Sequence, residues 1–225
     1  MLTAIAEQVA RLRGDKGRSY EATLRVTQTV EGSSPLSEPG TSDVVARISK
    51  SAGLPVGVPD GLDIAIRTNS VDLLFATTGA FSGIRHILRP RRSFMSGAYT
   101  TLLPHAFDGE QAQLLGLIPT QRRRLPARLD SLDDAVTGQP LRFTVATATL
   151  TGPWRPCGTL EIHTPLPEDE SPSDAFDLVP DDLPSTRVTG PLLTLRCRAY
   201  EASRRVSAFE ASSRRVPAVP RPRAV

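Results

Sequence analysis

Lysine is nearly missing from this chain. Of its 27 basic residues only Lys16 and Lys50 are lysines, and the rest are arginines. Against 24 acids the formal net charge is +3, and the sequence pI is about 9.2. The arginines are interspersed with acids and lack the aromatic interleaving of a single-strand binder, so nucleic acid is not an expected partner. The run "RRR" at 122–124 and the tail "RRVPAVPRPRAV" read as a solvated loop and a solvated terminus.

Cysteine is also scarce. Cys157 and Cys197 stand alone, which excludes a disulfide framework and a Cys-rich zinc site. The three histidines, His86, His105 and His163, fall in neither HExxH nor HxH spacing. No GxSxG elbow, Walker A loop or GxGxxG turn occurs. Aromatics make up only 5% of residues, and no apolar run approaches the roughly 20 residues that span a bilayer. The opening "MLTAIAEQVARLRGDKG" lacks the basic lead, continuous apolar stretch and small-residue cleavage site of a secretory signal. The expectation is a soluble, cytoplasmic protein without a transmembrane segment.

What is present is β-rich. The 225 residues are enough to bury a core, while Pro 20 and Gly 16 imply many turns. Helical spacing of Leu2, Ile5, Ala6, Val9 and Leu12 predicts a helix over 2–13. Alternation and β-branching predict strands at 20–30, 43–51, 62–68, 71–79, 141–150 and 158–164. "GAYTTLLPHAF" (97–107) and "QAQLLGLIP" (111–119) fit a hairpin across the DGE turn. "AFSGIRHIL" (80–88) reads as a short helix, and 128–138 as a short helix or an ordered loop. The acidic, proline-rich stretch 165–186 is expected to run over the surface, and a last helix follows it. About eight antiparallel strands with a helix at each end make a mainly β (α+β) fold. Closure into a barrel would remove the sheet edges. Residues 1–210 read as one domain and 211–225 as a basic Pro/Arg-rich tail expected to be disordered.

Two constellations carry possible chemistry. Asp60, Asp63 and Asp72 lie in or near strand ends. Asp60 and Asp72 with a histidine would suit a metal-dependent, phosphodiesterase-type hydrolase, although each acid also reads as a turn or edge residue. Arg196 and Tyr200 in "RCRAY" are four apart and share a helix face. A guanidinium beside a phenol favours the phenolate, which is one of the few axial ligands of haem iron. Taken alone the spacing also fits an ordinary packed pair.

A longer stretch bears on that pair. "VARISKSAGLPVGVPDGLDIAIRTNSVDLLFATTG" (45–79) resembles the core of the haem catalases. Arg47, Ile48 and Ser49 take the place of their R-F-S, "LDIAIRT" that of the next strand, and Asp72, Leu73 and Leu74 begin the match to "DLVGNN". "YEATLRVT" (20–27) is similar to the family's "GYFEVT" strand, and "RCRAYEASRR" (196–205) to its proximal helix "RxFxYxDTxR". Small catalase-related proteins of the actinobacterial type have this form. The resemblance implies a catalase-like antiparallel β-barrel with flanking N- and C-terminal helices, and haem as cofactor. It implies Tyr200 as the proximal iron ligand with Arg196 as its charge partner. It places Arg47 at a haem propionate and Ser49 on the distal side.

The departures limit the activity. The distal histidine would fall at Gly14, give or take one residue, and no histidine occurs in residues 1–85. The distal asparagine falls at Ala76, and a second propionate arginine at Ser207. A bound peroxide needs a base and a hydrogen-bond donor, so efficient catalase activity is not expected. The functional expectations are a haem-binding, peroxidase-like oxidoreductase acting on peroxide or a lipid hydroperoxide, or a haem-free catalase-like barrel serving as a binding or interaction module.

Overall fold

The structure is a computed structural model. It describes residues 17–28, 36, 38–68, 72–85, 87–101, 105–106, 113–149, 151–167 and 187–188. The helices expected at 2–13 and near the C-terminus lie outside the described residues, as do the tail and nearly all of the acidic stretch.

Eight strands close into an antiparallel barrel. In chain order they are β1 (Gly17–Val26), β2 (Gly40–Lys50), β3 (Leu62–Arg67), β4 (Asp72–Thr77), β5 (Tyr99–Thr100), β7 (Leu114–Pro119), β8 (Leu141–Ala148) and β9 (Arg155–Pro165). Short β6 (His105–Ala106) pairs instead with β10 (Arg187–Val188). Among the described residues one short helix, α1 (Leu132–Gly138), precedes β8. Neighbours in sequence are neighbours in the wall, and β1 closes the barrel by pairing with both β2 and β9. Closure satisfies the edge amides and carbonyls that an open sheet would present to solvent. The mainly β, barrel-forming expectation therefore holds.

The interior follows from the period of two. Tyr20, Ala22, Leu24 and Val26 of β1 point inward with Val44, Ala46 and Ile48 of β2 and Leu62, Ile64 and Ile66 of β3. Phe75, Tyr99, Leu117, Phe143, Leu160 and Ile162 continue the ring. Tyr99 and Phe143 meet edge to face, with ring centroids 6.0 Å apart at 88°. Both bulges lie on β9, His163 being the extra residue opposite Glu21/Ala22 and Cys157 opposite Val145/Ala146, and they bend that strand as closure requires.

Buried phenols need partners. Tyr99 donates to the Phe94 carbonyl (2.7 Å), and Tyr20 to Asp133 Oδ1 on α1 (2.7 Å). Thus α1 covers one barrel end, with Leu132 and Val136 packed inward. Asp133 and Asp134 in its first turn suit the helix dipole. Its last carbonyls take Arg123 from the "RRR" run, at 2.8 Å to both Ala135 and Gln139. Arg123 is therefore a helix cap rather than a solvated charge, while Arg122 and Arg124 are exposed.

One expectation is corrected. Residues 80–85 and 87–88 form successive turns, not a helix. Gly83 adopts φ 84°, outside the helical region, and Leu88 bridges back to Thr78. Among the described residues the expected pairing of 97–107 with 111–119 is present as Tyr99–Thr100 against Gly116–Leu117, with Thr101 N–H donating to the Leu115 carbonyl (3.1 Å), while His105–Ala106 pair with β10.

Candidate functional site

On β2, Val44, Ala46, Ile48 and Lys50 face inward, so Val45, Arg47 and Ser49 share the outer face. Register extends that face sideways. Ser49 stands opposite Gly17 on β1 and Asp63 on β3, and Asp63 stands opposite Ala76 on β4. One row along, Arg47 stands between Ser19 and Ala65, and Ala65 opposite Leu74. The structure thus brings Arg47, Ser49 and Ala76 onto one wall, although 29 positions separate Arg47 from Ala76 in sequence.

This wall is flat where the guanidinium lies. A Cβ on Gly17 would sit 2.7 Å from Arg47 Nε and 3.0 Å from Cζ, so the half-buried Arg47 side chain passes directly over the glycine. Ala65 and Ala76 add no bulk. Asp63 is 4% exposed and accepts the Ser51 hydroxyl at 2.6 Å. It places a carboxylate beside Ser49, which the sequence reading considered only for hydrolysis. The signal was its position in "LDIAIRT", where alternation turns Asp63 outward between Leu62 and Ile64.

Further round, the outer wall is already covered. Trp154 lies against Gly116, whose added Cβ would meet the indole at 2.8 Å. Its Nε1 donates to Ala80 at 2.8 Å. Arg85 stacks on the same ring, 4.6 Å from its centroid, and donates to the Thr149 carbonyl at 2.8 Å. Burial lowers the Arg85 pKa from the usual arginine value.

In the other direction the wall opens into a groove of about 670 Å³ that includes Glu21, Asp43, Val45, Arg67, Thr68 and His163. Glu21, Val45 and Arg67 form the next register row after Arg47. The groove therefore adjoins the Arg47 row rather than enclosing it. Arg67 is held by two bonds to Asp72, at 3.1 and 2.9 Å. His163 sits between Thr23 (3.2 Å) and Thr164 (2.9 Å).

The remaining expected residues are placed as follows. Asp60 lies just before β3 and Asp72 at the far end of the β3–β4 hairpin, so the structure does not bring them together. Asp60 is 2% exposed and accepts the amides of Ala52 (3.0 Å) and Leu54 (2.8 Å). Lys50 lies 3.9 Å from it and also donates to the Leu54 carbonyl. Among the described residues no cluster of three His, Cys, Asp or Glu could hold a metal. Tyr200, Arg196, Gly14, Ser207 and His86 lie outside the described residues.

No protein-family model matches this sequence, and no curated relative matches it. The fold does have solved counterparts. It is similar to catalase A from Saccharomyces cerevisiae, with a TM-score of 0.62 and 14% identity, covering 84% of this chain and 59% of that one. It is also similar to a fungal catalase, with a TM-score of 0.60 and 13% identity, covering 84% and 58%. The chain spans under three fifths of the length of either. The barrel is a catalase-like fold, and among the described residues no helix is long and apolar enough to cross a membrane.

Proposed function

We propose that this chain is a catalase-fold protein that binds haem against the outer face of β1–β4. Tyr200 would be the iron ligand and Arg196 its charge partner. The observation that carries this reading is the shared wall of Arg47, Ser49 and Ala76, which stand at the three barrel positions where the catalase resemblance places its propionate arginine, distal serine and distal asparagine. The wall suits such a group. Arg47 offers a guanidinium to a carboxylate, and Ala65 and Ala76 put only methyl groups on that face.

Haem, when bound, supplies the redox-active iron. The chain's own contribution is binding and orientation. Arg196 favours the Tyr200 phenolate by charge, and Ser49 offers one hydroxyl on the barrel side. Ala76 has no donor where the asparagine would stand, and residues 1–85 contain no histidine. Proton movement and polarisation of a peroxide are therefore poorly served. The reading is a peroxidase-like oxidoreductase for peroxide or a lipid hydroperoxide, not an efficient catalase.

One observation favours the haem-free alternative, a binding or interaction module. Asp63 puts a buried carboxylate on the same wall, bonded to Ser51, and an ionised carboxylate offers no donor to a porphyrin propionate. Optical titration with hemin, beside Tyr200→Phe, separates the two. A saturable Soret shift with a tyrosinate charge-transfer band, lost in the variant, supports the haem reading. The absence of a shift favours the module.

A further inference from the structure

The loop 52–61 joins β2 to β3, and 79–98 joins β4 to β5, so both leave the same end of the barrel. A backbone clasp ties them together. Asp60 N–H donates to the Arg91 carbonyl (2.9 Å), and Arg91 N–H to that of Asp60 (2.7 Å). Five exposed apolar side chains lie within six residues of that clasp in sequence: Leu54, Val56, Val58, Ile87 and Leu88. Val56, in a turn, is 54% exposed, and Leu88, bridged to Thr78, is 57% exposed. Scattered exposed apolar residues are normal, but a group at one loop pair marks an interaction surface.

The exposed charge that these two loops themselves carry has one sign. Residues 79–98 contain no acid at all, and Arg89 and Arg92 are exposed. The single acid of 52–61 is Asp60, which is buried and occupied by Lys50 and two amides. We propose that these two loops dock the protein on an anionic lipid surface. Apolar tips enter the headgroup boundary while Arg89 and Arg92 meet phosphates. A two-fold contact with a second copy is disfavoured, because it would set the arginines of each copy against their own kind. The proposal does not depend on haem.

Sedimentation of the full chain with vesicles tests it, using phosphatidylglycerol in phosphatidylcholine against phosphatidylcholine alone. Wild type is expected to sediment with the anionic vesicles only. The double variant Val56→Asp/Leu88→Asp should weaken that binding by at least about tenfold, since apolar burial is lost and like charge is added. Arg89→Glu/Arg92→Glu should weaken it comparably. All four side chains are exposed or at the surface, so melting temperatures should match wild type and control for folding. The proposal is overturned if wild type ignores anionic vesicles. It is equally overturned if both variants bind like wild type, which would assign the binding to the arginine-rich tail. A concentration-dependent dimer abolished by Val56→Asp/Leu88→Asp, without vesicle binding, would assign the surface to a second copy.

Discussion

Gly17→Ala separates the fold from its proposed ligand. The added methyl would stand 2.7 Å from Arg47 Nε, 3.0 Å from Cζ and 3.1 Å from one terminal nitrogen. These atoms are the far end of a flexible side chain, so the guanidinium yields and the backbone does not. Replacing a strand glycine also removes freedom from the unfolded chain, which stabilises by about 0.4–1 kcal/mol where the conformation is compatible. The two effects offset, and stability should change by less than about 1 kcal/mol in urea unfolding. Hemin affinity should respond differently. A charge-assisted hydrogen bond contributes about 1.5–3 kcal/mol, and the half-buried setting of Arg47 argues for the low end. Displacing it should weaken hemin binding about tenfold, as should Arg47→Ala. The assay is optical titration of the three proteins side by side. If both variants bind hemin as wild type does, Arg47 does not meet the ligand and the wall has been misread.

Three further outcomes are expected. Asp60→Ala strands the buried Lys50 ammonium and frees two loop amides; it should cost about 3–5 kcal/mol by the usual penalty for breaking a buried pair, read by urea unfolding, and a chelator should change nothing. Of the three tyrosines, Tyr20 is held protonated by burial and then by its bond to Asp133, and Tyr99 by burial; ultraviolet titration should show at most one ionising in the native state, assigned by Tyr200→Phe. Because both raised phenols favour the protonated native state, their contribution is full below pH ~10 and is lost above it, so the melting temperature should fall as pH rises past that point. Burial pushes the Cys157 thiol up to about 11, so a thiol reagent at pH 8 should label it only after unfolding.

Much of the barrel was legible because alternation and β-branching act locally. "LRFTVATATL" declares a strand without knowing its neighbours. What failed was decided by contacts between distant residues. The turn geometry of 80–88 depends on Thr78 receiving Leu88 and on Trp154 holding Ala80 from 74 positions away. His105–Ala106 also pair with Arg187–Val188, and nothing in either dipeptide advertises the other. Of the proposed site, "RIS" on β2 pointed to Arg47 and Ser49 as one face of a strand, but their placement beside Asp63 and Ala76 is a matter of register. Asp60 looked like a candidate acid and is instead the clasp of a loop, because its partners Ala52 and Leu54 are satisfied by the turn it closes.

The haem proposal stands or falls on Tyr200 as the ligand to a haem carried on this wall. Electron paramagnetic resonance of the purified chain after loading with one equivalent of hemin tests it most directly. The account predicts a high-spin ferric signal of the tyrosinate type that disappears in Tyr200→Phe and weakens in Arg196→Ala. A spectrum of free hemin, or one unchanged by Tyr200→Phe, would contradict it and leave a haem-free barrel.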